Sequence, residues 1–217
     1  MQKQTIGIIG AGWLGLPLGA ALHKQGHKVY GSTTRQERHA AISKQGLIPF
    51  TLELAAQPQG DLEVLSKLDI LIINVPPSTA RHYEGLSHLQ QLEGLVSTLQ
   101  ERKVPKVIYI STTSVYPDES REMYEIDADY VVSRHSGQVP LEFEDCFWAK
   151  EFEITVIRFG GLFGPERHPG YFFKRRRELS NAGAPVNMIH QHDCIGIIKK
   201  IIETDTWAVV FNACAPE

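Results

Sequence analysis

Six residues near the start of the chain have the types and the spacing to do chemistry. Gly10-Ala11-Gly12-Trp13-Leu14-Gly15 reads GxGxxG, directly after an apolar run at 5–9 and at the head of a helical pattern over 13–25 that Gly26 stops. The first glycine permits a tight turn, the second lets the backbone approach a pyrophosphate, and the third allows the helix to pack closely on the strand. Free N–H groups at the helix start, around Trp13 and Leu14, attract the phosphates. The bland alternative is a tight turn with no ligand. A second strand, 28–32, would ordinarily end in an acid that holds the adenosine ribose. Here the run is Gly31-Ser32-Thr33-Thr34-Arg35, with no acid in it. The hydroxyls of Ser32 and Thr33 beside the Arg35 guanidinium suit a 2′-phosphate, so NADP(H) is expected in preference to NAD(H). Val75 and Pro76, where the strand at 69–75 ends, complete the expected cofactor set.

A second cluster follows the strand at 106–111: Ser111, Thr112, Thr113 and Ser114 put four hydroxyls at a strand end. A third set is basic. Arg167 lies in a Gly-Pro-Glu-Arg-His-Pro-Gly loop, and Lys174, Arg175, Arg176 and Arg177 follow. The guanidinium groups suit a clamp on a substrate diphosphate. The plain alternative for the 174–177 run is a solvated face. In His190-Gln191-His192-Asp193-Cys194 no ligand partner stands at structural-zinc spacing, so no metal is expected, and Asp193 reads as a helix N-cap.

The elements that must position these groups alternate. Strand signals fall at 5–9, 28–32, 47–52, 69–75, 106–111, 154–158 and 207–213. Helical spacing falls at 13–25, 35–45, 81–103 and 193–202. Pro140 disfavours a helix at Val139 and fits a first turn, so a helix is expected to start near 139. This alternation predicts a Rossmann-type doubly wound parallel sheet in one dinucleotide-binding domain over 1–217, with 159–192 forming a small substrate-side segment. The 217 residues are 42% hydrophobic and 22% charged with a net charge of −3, a globular composition that points away from nucleic acid. No apolar run approaches a membrane span and no signal pattern opens the chain. Three unpaired cysteines read as reduced thiols, and a cytoplasmic location is expected. The middle of the chain is acidic and its last third mildly basic, so an anionic ligand is expected to meet the last third.

Ile110-Ser-Thr-Thr-Ser-Val-Tyr116, Arg158-Phe-Gly-Gly-Leu-Phe-Gly-Pro165 and Ile189-His-Gln-His-Asp193, taken with the glycines, resemble the extended short-chain dehydrogenase/reductase superfamily, which includes nucleotide-sugar epimerases and dehydratases. The pattern GWLG…RHPG…NACAP is similar to the bacterial YeeZ-type atypical subgroup. The resemblance implies that Thr112 takes the place of a catalytic serine or threonine that hydrogen-bonds a substrate oxygen. Ser111, Thr113 and Ser114 are its rivals, and Ser114 and Arg167 are expected to bind substrate. It also implies a Tyr-x-x-x-Lys pair on a later helix, and here Ser133 and Gly137 stand at those positions. Tyr130 and Arg134 have the pair's spacing, which makes Tyr130 a candidate proton donor. Tyr116, Tyr124, His135 and His168 are substitutes among which the sequence does not choose. Relatives of this kind continue for tens of residues, so the C-terminal substrate region is expected to be minimal or truncated. Two functions follow, with a dimeric scaffold whose cofactor is purely structural as a third. One is an oxidoreductase or epimerase acting on a small or nucleotide-linked carbonyl or hydroxyl compound. The other is a non-catalytic NADP(H)-binding redox sensor or regulator. A homodimer is left open.

Overall fold

The structure is a computed structural model that describes residues 2–75, 88–130, 135–148, 152–172, 183 and 186–216. Its frame is an eight-stranded sheet. In chain order the first half runs β1 (Thr5–Ile9), α1 (Gly15–Lys24), β2 (Lys28–Thr33), α2 (His39–Lys44), β3 (Ile48–Glu53), β4 (Gln59–Gly60) and β5 (Ile70–Ile73). The second half runs α3 (His88–Glu101), β6 (Lys106–Thr112), α4 (His135–Trp148), β7 (Glu153–Phe159), β8 (Gly161–Phe163), β9 (Met188–His190), α5 (Gln191–Thr204) and β10 (Val210–Ala213). Across the sheet the order is β10-β7-β6-β5-β1-β2-β3-β4, and β8 pairs with β9 in a separate parallel ribbon. All neighbours in the large sheet are parallel except β3 and the short edge strand β4. The expected doubly wound parallel sheet is therefore what the chain forms.

Strand apolarity explains the layering. In β5 successive side chains leave opposite faces, so Ile70 and Ile72 join one core while Leu71 and Ile73 join the other. The first core is closed by Leu18 and Leu22 of α1, Ile42 of α2, and Ile198, Ile201 and Ile202 of α5. The second is closed by Leu92, Leu95, Val96 and Leu99 of α3 with Phe143 and Phe147 of α4. The strand order reverses between β1 and β5, and ligands of such sheets sit at the carboxyl ends beside that reversal.

Several boundaries differ from the sequence reading for local reasons. The first helix starts at Gly15, because 11–14 form the turn itself, and residues 36–38 are a 3-10 turn leading into α2. The helix expected near 139 starts at His135 and carries Pro140 inside it. An interior proline costs roughly 3 kcal/mol. Burying Leu141, Phe143 and Phe147 returns roughly 1.5–3 kcal/mol each, so packing wins. The N-cap of α5 is His190, whose Nδ1 accepts from the His192 N–H at 3.2 Å; Asp193 lies in the first turn. Strands β4, β8 and β9 are too short to carry a periodic signal. The three cysteines are free. Among the described residues no helix is long and apolar enough to cross a membrane. Pro76, Ser133, Arg134 and the basic run at 174–177 lie outside the described residues.

Candidate functional site

At the carboxyl edge of the sheet, beside the reversal, lies a cleft of about 890 Å3. The glycine turn forms its floor. Gly10 has φ +93°, and a Cβ there would meet the Asn74 carbonyl oxygen at 2.6 Å. A Cβ on Gly15 would stand 2.2 Å from the Gly10 carbonyl oxygen, so helix and turn touch backbone to backbone. A Cβ on Gly12 meets nothing within 4 Å. Gly10 and Gly15 are thus required by the turn itself, whereas Gly12 keeps a space clear on the cleft side. A cradle that a side chain would fill fits a pyrophosphate.

Neighbouring elements fix the turn. The Gly10 N–H donates to Ser32 Oγ at 3.0 Å and the Ala11 N–H to the Ser32 carbonyl at 3.0 Å. Asn74 Nδ2 donates to the Gly10 carbonyl at 3.1 Å. Arg38 donates to the Ala11 carbonyl at 3.2 Å. Ser32 is buried and its hydroxyl oxygen already serves the turn, so its proton is what remains for a ligand. Thr33 Oγ1 accepts from the Arg35 N–H at 3.1 Å and shapes the bend that carries Arg35 to the cleft. Trp13, Leu14 and Val75 line the same cleft.

The sequence reading missed three residues here. Arg38 lines the cleft as a second cation, three residues after Arg35 in a tight turn, and that spacing was the available signal. Asn74 was visible as a polar residue closing an all-apolar strand. Glu53, at the end of β3, adds a carboxylate to the cleft beside Arg35 and Arg38.

On the other side of β1 the hydroxyl cluster divides. Ser111, Thr112 and Ser114 line the cleft. Ser111 Oγ donates to Glu144 Oε1 at 2.6 Å and is committed there. Thr112 Oγ1 accepts from the Ser114 N–H at 3.2 Å, which leaves its proton and the Ser114 hydroxyl for a ligand. Glu144 is buried on α4 and is gripped by the buried Arg158 of β7, with Nη2 to Oε2 at 2.6 Å and Nε 3.2 Å from both oxygens. Arg158 Nη1 also donates to the Glu125 carbonyl at 2.7 Å and to the Tyr116 hydroxyl at 2.8 Å, and Tyr116 donates to Asn212 Oδ1. Burial raises the Tyr116 pKa, against the lowering effect of Arg158. This network pins the acidic loop onto the ends of β6, β7 and β10, and it removes Tyr116 from the candidate proton donors.

The other candidates fare as follows. Tyr130 is not part of the cleft lining; its hydroxyl donates to Asp145 Oδ2 at 2.6 Å. Partial burial, then that carboxylate, raise its pKa, the opposite of what a proton-transferring tyrosine needs. Tyr124 is exposed and bonds Glu122. His168 Nδ1 accepts from the Gly170 N–H at 3.1 Å. At Gly137, where the resemblance places a lysine, a Cβ would stand 2.1 Å from the Ser114 carbonyl oxygen, so α4 meets the turn after β6 too closely for any side chain.

Arg167 does reach the cleft. Its guanidinium lies 5.2 Å from the centroid of the Trp13 ring, and Trp13 Nε1 donates to the Pro165 carbonyl at 2.7 Å. Gln191 Nε2 donates to the Trp13 carbonyl at 2.7 Å. Trp13 therefore ties the glycine turn to the 164–167 loop and to the start of α5.

Comparison with known proteins places the chain in a family. The model of the NAD-binding domain of 6-phosphogluconate dehydrogenase matches residues 5–130. Protein YeeZ of Escherichia coli strain K12 is 31% identical over 98% of this chain and 78% of its own length. The chain belongs to the YeeZ family. The chain shares its fold with solved epimerases. The UDP-N-acetylglucosamine 4-epimerase of Bacillus cereus superposes with a TM-score of 0.76 at 16% identity, over 99% of this chain and 77% of that one. MoeE5, solved in complex with UDP-glucose and NAD, superposes with a TM-score of 0.73 at 20% identity, over 98% and 77%. The chain thus carries an NAD-binding domain of Rossmann type, whose fold it shares with these epimerase and nucleotide-sugar structures.

Proposed function

We propose that this protein is an NADP(H)-dependent oxidoreductase or epimerase of the short-chain dehydrogenase/reductase type, acting on a small anionic compound that carries a carbonyl or hydroxyl group. The carrying observation is that Thr112 and Ser114 line the same cleft as Gly12, beside which a Cβ would meet open space. The amides of Trp13 and Leu14 hold the pyrophosphate in the space left open at Gly12, whose own N–H donates to the Gly10 carbonyl at 2.8 Å. Arg35 and Arg38 meet a 2′-phosphate, and two cations against the one carboxylate of Glu53 favour NADP(H) over NAD(H). A bound nicotinamide supplies two-electron exchange with the substrate carbon. The Thr112 hydroxyl orients the substrate oxygen, Ser114 flanks it, and Arg167 binds the substrate's anionic part. Residues 1–217 act as one dinucleotide-binding unit, with 159–192 on the substrate side.

A second reading, a non-catalytic NADP(H) sensor, is favoured by the contact at Gly137, which leaves no room for a lysine beside the hydroxyl cluster. General acid assistance is typically worth about 10²–10⁴-fold, so its loss would slow any reduction. Incubation with NADPH and a panel of sugar nucleotides, aldehydes and ketones separates the two. Nicotinamide absorbance that falls with one substrate, and no longer falls in Thr112→Ala, supports the enzyme. Tight NADPH binding with no turnover across the panel supports the sensor.

A further inference from the structure

Among the described residues three side chains, Gln4, His27 and Tyr109, bury a polar atom that meets no hydrogen-bond partner. Gln4 and His27 sit just before β1 and β2, at the end of the sheet remote from the cleft. Tyr109 is different, because it forms part of the cleft wall. It lies on β6, 0% exposed, with its ring 5.9 Å from Phe143 and 5.9 Å from Phe147, centroid to centroid. Leu92 and Leu95 of α3 and Phe143 of α4 share its core cluster and, with Pro140, also line the cleft. A phenylalanine would fill this apolar slot without burying a donor, so the hydroxyl is a cost that packing does not explain.

Its place across the sheet says which part of a ligand it would meet. Tyr109 is in register with Ile73 of β5, and Ile73 with Ile9 of β1, the residue before the glycine turn. Ser32, Thr33 and Arg35 lie on the β2 side of that turn, and β5 and β6 lie on the other. A dinucleotide with its phosphates on the turn and its adenosine toward β2 extends its second ribose and its nicotinamide over β5 and β6.

We propose that the Tyr109 hydroxyl donates a hydrogen bond to an acceptor oxygen, ribose hydroxyl or carboxamide, on the nicotinamide half of the bound dinucleotide. The inference rests on the dinucleotide reading above. Burial, and then the charge of Glu144, raise the tyrosine's pKa well above its ordinary value, so the hydroxyl keeps its proton and acts as a donor. It is a binding residue with no proton-transfer duty.

Tyr109→Phe removes that hydroxyl alone. Calorimetric titration of the intact protein is run with NADPH and with adenosine 2′,5′-bisphosphate, the adenosine-side fragment. The variant is expected to bind NADPH about tenfold more weakly and the fragment as the wild type does, with a thermal midpoint equal to or above the wild type's. Unchanged NADPH affinity would overturn the proposal, and so would an equal loss for the fragment, which would mark a structural effect. Wild-type protein that binds neither compound would overturn the dinucleotide reading and this inference with it.

Discussion

The two sides of the cleft are built differently. On the phosphate side the groups offered to a ligand are backbone amides, and the side chains around them, Ser32 and Asn74 among them, hold the turn in shape. On the substrate side the groups are side chains, and most are already engaged with each other: Ser111 with Glu144, Glu144 with Arg158, Arg158 with Tyr116, and Tyr116 with Asn212. A backbone cradle depends on a short stretch of sequence and survives divergence elsewhere. A proton-transfer site depends on distant side chains, and here the described candidates Tyr116 and Tyr130 are hydrogen-bonded to Asn212 and Asp145. The two regions are separable: a glycine turn of standard form lies beside a hydroxyl cluster whose neighbours are tied up in a buried network.

The contrast can be broken most forcefully at the buried ion pair. Arg158→Met leaves the Glu144 carboxylate unpaired, and stability is expected to fall by about 3–5 kcal/mol in urea unfolding. Adding Glu144→Leu should restore much of the loss, because an apolar pair of similar volume needs no partner. If the single variant unfolds like the wild type, the network does not hold the substrate side together.

Next in size is the cradle. Gly12→Val places its Cβ in open space, so the fold should be untouched. Dinucleotide affinity should nonetheless fall about 100-fold or more, equivalent to roughly 2.7 kcal/mol. A loss of thermal midpoint alongside would mean that Gly12 serves the turn and not the ligand.

Within the adenosine side, Arg35→Ala should weaken NADPH about tenfold and NADH little, since one charge-assisted contact to the 2′-phosphate is lost. Equal losses for both would assign the site to NAD(H), with Glu53 as the ribose partner. The smallest effect is expected at Tyr130→Phe. Its partner Asp145 and its partial exposure mark a surface contact, so stability should stay within about 0.5 kcal/mol and dinucleotide affinity should not move. A collapse of turnover in that variant would return Tyr130 to the chemistry.

How much could be read in advance follows the same division. The glycine turn, the apolar strands and the parallel sheet were legible because each rests on local spacing: three glycines after a buried strand, and runs such as Ile70–Ile73. The start of α4 was not, because Pro140 sends a local signal that the burial of Phe143 and Phe147 overrides. Arg158 and Glu144 are fourteen residues apart on different elements, and nothing in the sequence announces that they meet. Arg167 was visible as a loop cation, but its seat over Trp13 joins residues more than 150 positions apart. Tyr109 carries no signal of its own in the sequence, because its unpartnered hydroxyl depends on side chains from α3 and α4.

The central claim is that the turn at Gly10 to Gly15 embraces the paired phosphates of a nicotinamide dinucleotide. Calorimetric titration of the folded wild-type protein with NADPH tests it most directly. Saturable one-site binding that vanishes in Gly12→Val is the predicted result. A native protein that takes up neither the reduced nor the oxidised dinucleotide, phosphorylated or not, at millimolar concentration would contradict it.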